Sequence, residues 1–322
     1  MSVYRYFERS KMNSSDWIKN KKIAILENDK VLDKILTQHA SGILDARSKT
    51  NLFDFIYKTQ YSSSSLESKS FINFGSGSFQ HHFWKNADKL FDDKKWSDIK
   101  CKNFDSKIDI SWDMYKHEPY LIESNSIEVA YSSHVIEHGF NEDVQYFFDE
   151  VFRILKFGGT FRVVAPDVDL YINAMKNKDY SFMFMYKQLV NKDFSDNLSL
   201  DFLSNYSLEK FLLENVSLIT TTGNRILLNN QESIDFFKDR AAKNIYEVLD
   251  EASYLSDRPL NEKIGAHVNW FNFEKTRMFL EKSGFKTVLK SRFGQSINPV
   301  LRDVRLFDRT DPFFSFYIDA VK

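Results

Sequence analysis

The chain has 322 residues, of which 43% are hydrophobic and 28% are charged, and its formal net charge is −1. This composition predicts a globular protein with a substantial core and disfavours nucleic-acid binding, which usually requires a basic excess. Because Cys101 is the single cysteine, an internal disulfide and a cysteine-ligated zinc cluster are both excluded.

The N-terminal part, residues 1–65, carries apolar positions at helical spacing and predicts a helical extension that ends in the serine run 62–65. Its first residues lack the apolar stretch of a signal peptide. No apolar run anywhere in the chain approaches the roughly 18 residues that span a bilayer. These features favour a cytoplasmic protein without a membrane span.

Residues 66–170 have a different pattern, in which short apolar runs alternate with helical periodicity, and residues 263–322 return to it. Together they predict an α/β core, and its strand-like runs span residues 70–74, 127–131, 161–165, 287–289 and 314–321. An amphipathic helix is predicted over 143–155, with Gly158-Gly159 as its C-terminal cap. Strand, helix and strand in this order predict a right-handed parallel crossover.

The first strand-like run ends at Gly75-Ser76-Gly77, where glycines permit a sharp turn and a close approach of a ligand. A nicotinamide-binding fingerprint would need a third glycine, but that position is Gln80, and no Walker A lysine follows. The turn therefore suggests a nucleoside ligand without a pyrophosphate, although a plain strand-ending turn explains it equally well. The adjacent pair His81-His82 resembles a metal site only superficially, so no metal ion is predicted.

Two acidic residues follow at positions suited to a nucleoside. Asp88 is expected at the end of the second strand, where a carboxylate can accept hydrogen bonds from ribose hydroxyls. Asp113 is expected after the third strand, where it can accept from an adenine amino group while Met114 packs on the ring. Taken alone, each aspartate is also consistent with an ordinary surface or turn residue.

These motifs together resemble the class I S-adenosylmethionine-dependent methyltransferases, and more closely a bacterial branch associated with surface-polysaccharide and sugar biosynthesis. The residues that carry the resemblance are Asn73–Gly77, Phe83–Asp88, Trp112–Met114, Tyr131–His138, Arg153–Asp167, Ala266–Trp270, Leu280–Phe285 and Phe293–Arg302. The similarity covers about residues 70–170 and 263–322. It departs from the family pattern at Phe83, in place of glycine, and at Phe157, in place of proline.

The resemblance implies a Rossmann-like sheet that is mostly parallel, has an antiparallel edge strand and carries helices on both faces. It also implies that S-adenosylmethionine is the cofactor and S-adenosylhomocysteine the product. The residues implied at the cofactor are Gly75, Ser76 and Gly77 under the methionine moiety, Asp88 at the ribose, Asp113 with Met114 at the adenine, and Ser133 and His134 on the floor of the site.

The implied activity is methyl transfer to a hydroxyl of a sugar, either nucleotide-linked or within a surface polysaccharide such as capsule or lipopolysaccharide. Three alternatives stay open: an N-methyltransferase acting on a small metabolite or a modified sugar, a non-catalytic S-adenosylmethionine-binding module, and a nicotinamide oxidoreductase. The last is disfavoured by Gln80.

Methylation of a hydroxyl requires a group that removes its proton, and histidine is the common choice near neutral pH. We expect His267 to be the base or a substrate contact, with His134 close behind, while His138 is expected to pack at a helix start. Asp167 follows a strand and is a candidate to orient a sugar hydroxyl or assist a base, although it also suits a helix N-cap. A purely structural role is open for each of these residues.

The part between the two core segments, residues 171–262, lacks strand alternation and carries Met, Phe, Leu and Tyr at helical intervals. It predicts a helical insertion that follows the fifth strand, where elements that cover a substrate are placed in α/β folds. We expect a cap over a small-molecule or glycan substrate. Its apolar patches are also compatible with a contact between two copies of the chain in a homodimer.

Overall fold

The computed structural model describes residues 52–77, 79–89, 108–190, 206–217 and 228–322. The chain divides into two compact units, Met1–Tyr57 and Lys58–Lys322, and the sheet belongs to the second. Most of the predicted N-terminal extension, residues 1–65, lies outside the described residues, as do parts of the predicted insertion.

Seven strands form one sheet: β1 (Phe71–Phe74), β2 (Trp84–Asp88), β3 (Ile110–Ser111), β4 (Ile127–Ser133), β5 (Leu155–Pro166), β6 (Thr287–Ser291) and β7 (Ser315–Val321). The α-helices among the described residues are α1 (Leu52–Gln60), α2 (Ser63–Glu67), α3 (Asn141–Ile154), α4 (Val168–Lys176), α5 (Tyr180–Val190), α6 (Leu208–Glu214), α7 (Asn230–Lys238), α8 (Ile245–Tyr254), α9 (Arg258–Ile264) and α10 (Phe273–Ser283). Within the described ranges, two 3₁₀ turns span Ile136–His138 and Pro299–Arg302. None of the described helices is long and apolar enough to cross a membrane.

The strand order is β3-β2-β1-β4-β5-β7-β6. Strands β1 to β5 pair in parallel, whereas β7 pairs antiparallel with both β5 and β6. This arrangement confirms the predicted class I methyltransferase fold. The antiparallel strand β7 lies one position inside the edge, and β6 closes the sheet beside it.

The crossover from β4 to β5 follows the predicted strand-helix-strand pattern. Helix α3 starts where the Asp143 side chain accepts a hydrogen bond from the Phe140 amide at 3.0 Å. Its buried face consists of Val144, Phe147, Phe148, Val151 and Ile154. The predicted glycine cap is wrong, because α3 ends at Ile154 and Gly158-Gly159 lie within β5. There the register against β4 shifts, and Gly158 has φ +79° at the irregularity.

The connection from β1 to β2 is shorter than a helical crossover. It spans only residues 75–83, and its described residues contain no helix, whereas parallel strands usually need a dozen or more connecting residues. The sheet face beside it is covered by Phe307, whose ring lies 5.0 Å from those of Trp84 and Tyr131 and 5.5 Å from that of Phe79. The link between β1 and β2 therefore packs, through Phe79, against a segment from far downstream.

That downstream segment is held to the sheet by the fully buried Arg162 of β5. The guanidinium donates to both carboxylate oxygens of Asp308, at 2.8 and 2.6 Å, and to Asp319 of β7 at 3.0 Å. All three side chains are fully buried, and a buried arginine with bidentate carboxylate partners has a defined geometry. Arg162 thus fixes the residue that follows Phe307 against the strands.

The described residues of 171–262 are helical, and their apolar core is continuous with α4. Tyr171 of α4 packs its ring 5.4 Å from that of Phe211 in α6, and Trp270 joins the same cluster from the chain that returns to the sheet. Lys275 of α10 is buried beside it, where its Nζ lies 3.2 Å from Asp250 of α8. These contacts connect the helices after β5 to the core.

Candidate active site

The glycine turn after β1 has the backbone conformation that glycine favours. Gly75 has φ +65° and Gly77 has φ +52°. A Cβ atom at position 75 would lie 2.3 Å from Cγ2 of Val135, so the chain leaves no room for a side chain there. A Cβ atom at Gly77 would meet nothing within 4 Å, so this glycine faces open space. The turn therefore combines close packing on one side with an open approach on the other.

A cleft with a cavity volume of about 150 Å³ opens at the carboxyl ends of β1 to β4, next to this turn. We call it the glycine-turn cleft, and it is lined by Gly75, Gly77, Asp88, Lys89, Trp112, Asp113, Met114, Tyr115, His134, Val135, His138 and Gly265. Ligands of open α/β sheets gather at this edge, where neighbouring connections diverge.

Asp88 at the end of β2 ties the glycine turn to the neighbouring strand. One carboxylate oxygen accepts from the Gly77 amide at 2.8 Å, and the other accepts from the Lys89 amide at 2.8 Å. The residue is 6% exposed.

Asp113 occupies the facing position after β3. Its Oδ1 accepts from the Tyr115 amide at 3.1 Å, and its Oδ2 lies 3.0 Å from the Nζ of Lys89. Met114 is buried beside it and lines the same cleft. The sequence analysis did not predict Lys89 as a site residue, although its position directly after Asp88 could have indicated it.

Ser76 and Ser133, both predicted at the cofactor, line a second cleft on the other side of the turn. This cleft has a volume of about 570 Å³, and we call it the Arg309 cleft. It is lined by Asn73, Gly75, Ser76, Gly77, Phe79, Gln80, Tyr131, Ser133, Leu306, Arg309 and Thr310. The hydroxyls of Ser76 and Ser133 are buried and have no hydrogen-bond partner within the described parts of the chain. The structure thus brings six of the eight predicted cofactor residues together and places these two across the turn.

Behind the β4 side of the glycine-turn cleft, three histidines surround the buried carboxylate of Glu137. Its Oε1 lies 3.3 Å from Nδ1 of His134, 4.0 Å from Nε2 of His138 and 3.9 Å from Nε2 of His267. Burial raises the pKa of Glu137, but the three histidines, His134 first, outweigh it and lower that pKa to about 2. Sequence reasoning missed Glu137 as a site residue, although it belongs to the same motif as His134.

The three histidines differ in access to the cleft. His134 and His138 line it, whereas His267 lines neither cleft. Burial, reinforced by the nearby His138, lowers the pKa of His267 to about 4, so this imidazole is a weak base at neutral pH. His134 has φ +54°, and its Nε2 lies 2.8 Å from the hydroxyl of Ser315. Geometry therefore favours His134 over His267 as a group that acts on a ligand in the cleft.

Asp167, the third predicted catalytic residue, is the N-cap of α4. Its side chain accepts from the Asp169 amide at 3.2 Å, and it lines neither cleft. Burial and the adjacent carboxylate of Asp169 raise the pKa of Asp167 to about 6. It thus occupies the capping position that the sequence offered as an alternative.

No known family model matches the chain, and no curated protein matches it at a significant level. Among solved structures, it is similar to an S-adenosylmethionine-dependent methyltransferase from Archaeoglobus fulgidus, with 11% identity over 85% of this chain and 100% of that one and a TM-score of 0.34. Another from Mesorhizobium loti has 13% identity over 78% and 90% of the two chains and a TM-score of 0.35. At these values the likeness carries no argument by itself, and the fold assignment rests on the strand order.

Proposed function

We propose that this chain is a methyltransferase that binds S-adenosylmethionine in the glycine-turn cleft and methylates a hydroxyl group of a sugar. One observation carries the proposal: two carboxylates, Asp88 and Asp113, meet at one cleft beside a glycine turn, at the edge of a sheet with the class I strand order. The polar groups of a nucleoside are hydroxyls and an amino group, and carboxylates are good acceptors for both.

The residues present fit the nucleoside end of this cofactor. Asp88 lines the cleft at the end of β2, where its carboxylate is placed to accept from ribose hydroxyls. Asp113 is placed to accept from the adenine amino group, between the apolar surfaces of Trp112 and Met114. Gly77 faces open space, so the backbone leaves room for the ligand.

The cofactor, when bound, supplies an electrophilic methyl group, and the protein must align the acceptor and remove its proton. We assign proton removal to His134, since it lines the cleft and the Glu137 carboxylate 3.3 Å from its Nδ1 stabilises the positive charge that forms. Its Nε2 would take the proton when the acceptor hydroxyl replaces Ser315 as the partner of that nitrogen. His267 is the second candidate, and Asp167 is the third because it lines neither cleft.

We propose that the reacting hydroxyl enters the glycine-turn cleft and that the rest of the acceptor lies in the Arg309 cleft, which shares Gly75 and Gly77 with it. The lining of the Arg309 cleft is rich in hydroxyl and amide groups, among them Ser76, Ser133 and Gln80, which suits a ligand with many hydroxyls. Arg309 is exposed at the same cleft and offers a partner for phosphate, as in a nucleotide-linked sugar. The sugar class otherwise rests on the resemblance in sequence.

The first test is calorimetric titration with S-adenosylhomocysteine, with NAD as the competing ligand. We expect binding of the former and none of the latter. Asp88→Asn should weaken this binding, whereas Asp239→Asn, at an exposed carboxylate after α7, should not. Binding of NAD in place of S-adenosylhomocysteine would overturn the proposal.

The second test is transfer of a labelled methyl group to nucleotide-linked sugars, followed by mass spectrometry of the product. We expect an O-methyl sugar and a loss of turnover in His134→Ala with little change in affinity for S-adenosylhomocysteine. A product methylated on nitrogen would show that the enzyme is an N-methyltransferase and not an O-methyltransferase. Binding of S-adenosylhomocysteine without methyl transfer to any acceptor would favour a non-catalytic binding module.

A further inference from the structure

The geometry points to a binding site for a divalent transition-metal ion formed by Glu137, His138 and His267. Oε1 of Glu137, Nε2 of His138 and Nε2 of His267 converge, and the ligand atoms of this group all lie within 4.8 Å of one another. Two imidazoles and one carboxylate are a ligand set that zinc and iron(II) sites use. The sequence predicted no metal site, because these residues come from two distant segments.

The Glu137 carboxylate lacks the hydrogen bonds that a buried charge needs. The residue is 2% exposed, and within the described parts of the chain neither carboxylate oxygen has a hydrogen-bond partner. The nearest nitrogen, Nδ1 of His134, is 3.3 Å away, and the two groups form an ion pair only when the imidazole is protonated. Buried carboxylates are otherwise paired, hydrogen-bonded or bound to a metal ion. An unsatisfied carboxylate that faces two imidazole nitrogens therefore favours a cation between them.

The distances suit a small ion after a modest closure. Zinc bonds of about 2.0–2.2 Å in a tetrahedral site separate neighbouring ligand atoms by roughly 3.3–3.5 Å. The two contacts from Oε1 of Glu137 to the histidine Nε2 atoms measure 4.0 and 3.9 Å. Small side-chain rotations of His138 and His267, whose rings are 4.9 Å apart, would bring the donors into range.

The backbone already holds the two segments together. The carbonyl of Glu137 accepts from the amides of Val268 and Asn269, at 2.9 and 3.2 Å. His267 also has a hydrogen bond with the backbone of Asn215, the kind of outer contact that orients metal-binding imidazoles. The ligands are therefore positioned before an ion arrives.

His138 also lines the glycine-turn cleft, so the remaining coordination positions would open toward it. Three protein ligands with an open position are typical of catalytic metal sites. The use that we infer rests on the proposed function: an acceptor hydroxyl bound to the ion would lose its proton to His134 more readily. Its oxygen then bonds to the methyl carbon, and the sulfur keeps the electron pair of the broken bond. The metal site itself does not depend on that function.

The test is a Co²⁺ titration of the tag-free full-length protein after chelation, without any nucleoside ligand. We expect one equivalent to bind with visible absorption bands that Zn²⁺ abolishes. His138→Ala and His267→Ala should each weaken binding by more than about 100-fold, beyond the range seen for outer contacts. The matched controls are His134→Ala and the double variant His81→Ala/His82→Ala, both of which should keep the bands.

Absence of the bands in the wild-type protein, or their persistence in both ligand variants, would overturn the site. If the variants do not fold, the imidazole NMR signals that Co²⁺ shifts in the wild-type protein identify the histidines that bind the ion. Signals from two of its seven histidines, neither of them His81 or His82, support the proposal. Shifts at His81 and His82 instead would refute it. Because S-adenosylhomocysteine is left out, a failed methyltransferase proposal leaves this result unaffected.

Discussion

The β2–β3 side of the glycine-turn cleft and the histidine cluster behind its β4 side hold carboxylates in opposite states. On the β2–β3 side, Asp88 accepts from two backbone amides, and Asp113 accepts from one amide and pairs with Lys89. On the β4 side, Glu137 has three imidazoles within 4.0 Å and no hydrogen-bond partner among the described residues.

This difference separates two kinds of ligand. Carboxylates already fixed by amide donors are prepared to accept from neutral hydroxyl and amino groups, because their charge is partly compensated. A carboxylate that lacks donors and faces imidazole nitrogens is prepared for a cation. One cleft can therefore hold a nucleoside on one side and an ion on the other.

The largest expected effect is on the nucleoside side. Asp88→Asn should weaken S-adenosylhomocysteine binding by about 100-fold or more, since two hydrogen bonds to a charged acceptor contribute about 1.5–3 kcal/mol each. Calorimetry measures the change, and circular dichroism checks that the fold is kept. An unchanged affinity would show that Asp88 does not bind the nucleoside and would contradict the assignment of this side of the cleft.

On the ion side, we expect Zn²⁺ to stabilise the wild-type protein against unfolding. At 100 times its dissociation constant, a ligand of the folded state raises the free energy of unfolding by about 2.7 kcal/mol. Denaturation with Zn²⁺ and with a chelator measures this, and His267→Ala should abolish the difference. An equal gain in that variant would mean that Zn²⁺ binds elsewhere.

Asp113→Asn should have a smaller effect than the Asp88 substitution. Asparagine keeps one acceptor oxygen but loses the charge that pairs with Lys89. We expect about tenfold weaker binding of S-adenosylhomocysteine, equal to about 1.4 kcal/mol. Inosine analogues, which lack the adenine amino group, should bind the two proteins equally. A tenfold preference that persists with these analogues would place Asp113 away from the adenine.

Asp167 serves as a reference for the other carboxylates, because it is half-buried and does not line the glycine-turn cleft. Its pKa of about 6 exceeds the ordinary 3.8, so the folded protein retains a proton that the unfolded chain releases. The free energy of unfolding should therefore fall as pH rises from about 4 to 6. Asp167→Asn keeps the helix cap and should raise stability at pH 7 by about 1 kcal/mol.

Urea denaturation across this pH range measures the effect of Asp167→Asn. A structural cap predicts unchanged methyl transfer in the variant. A collapse of turnover without a change in stability would restore Asp167 to the catalytic residues.

Local patterns in the sequence were sufficient to predict much of the fold and the residues on the β2–β3 side of the glycine-turn cleft. The apolar period of α3 and the short runs that became β1, β4 and β7 depend on neighbours close in the chain. Asp88 and Asp113 could be predicted because each follows a strand whose carboxyl end must reach the same edge of the sheet.

What the sequence did not reveal depends on contacts between distant segments. His138 and His267 converge on Glu137 only because the backbone of Val268 pairs with that of Glu137 after folding. Ser133 and His134 are neighbours in the chain, yet they line different clefts, and the positive φ of His134 marks the change in direction. Gly158 could equally end a helix or bend a strand, and pairing with β4 decided between them.

The short link between β1 and β2 has a consequence for biosynthesis. The strands that carry the glycine turn leave the ribosome early, but Phe307 and Arg309, which cover that face and line its second cleft, are translated much later. Until they arrive and Asp308 reaches Arg162, Trp84 and Tyr131 lack their contact with the Phe307 ring. Nascent chains should therefore expose an aggregation-prone apolar surface through most of translation. They should bind the ligand only after this segment has emerged from the ribosome.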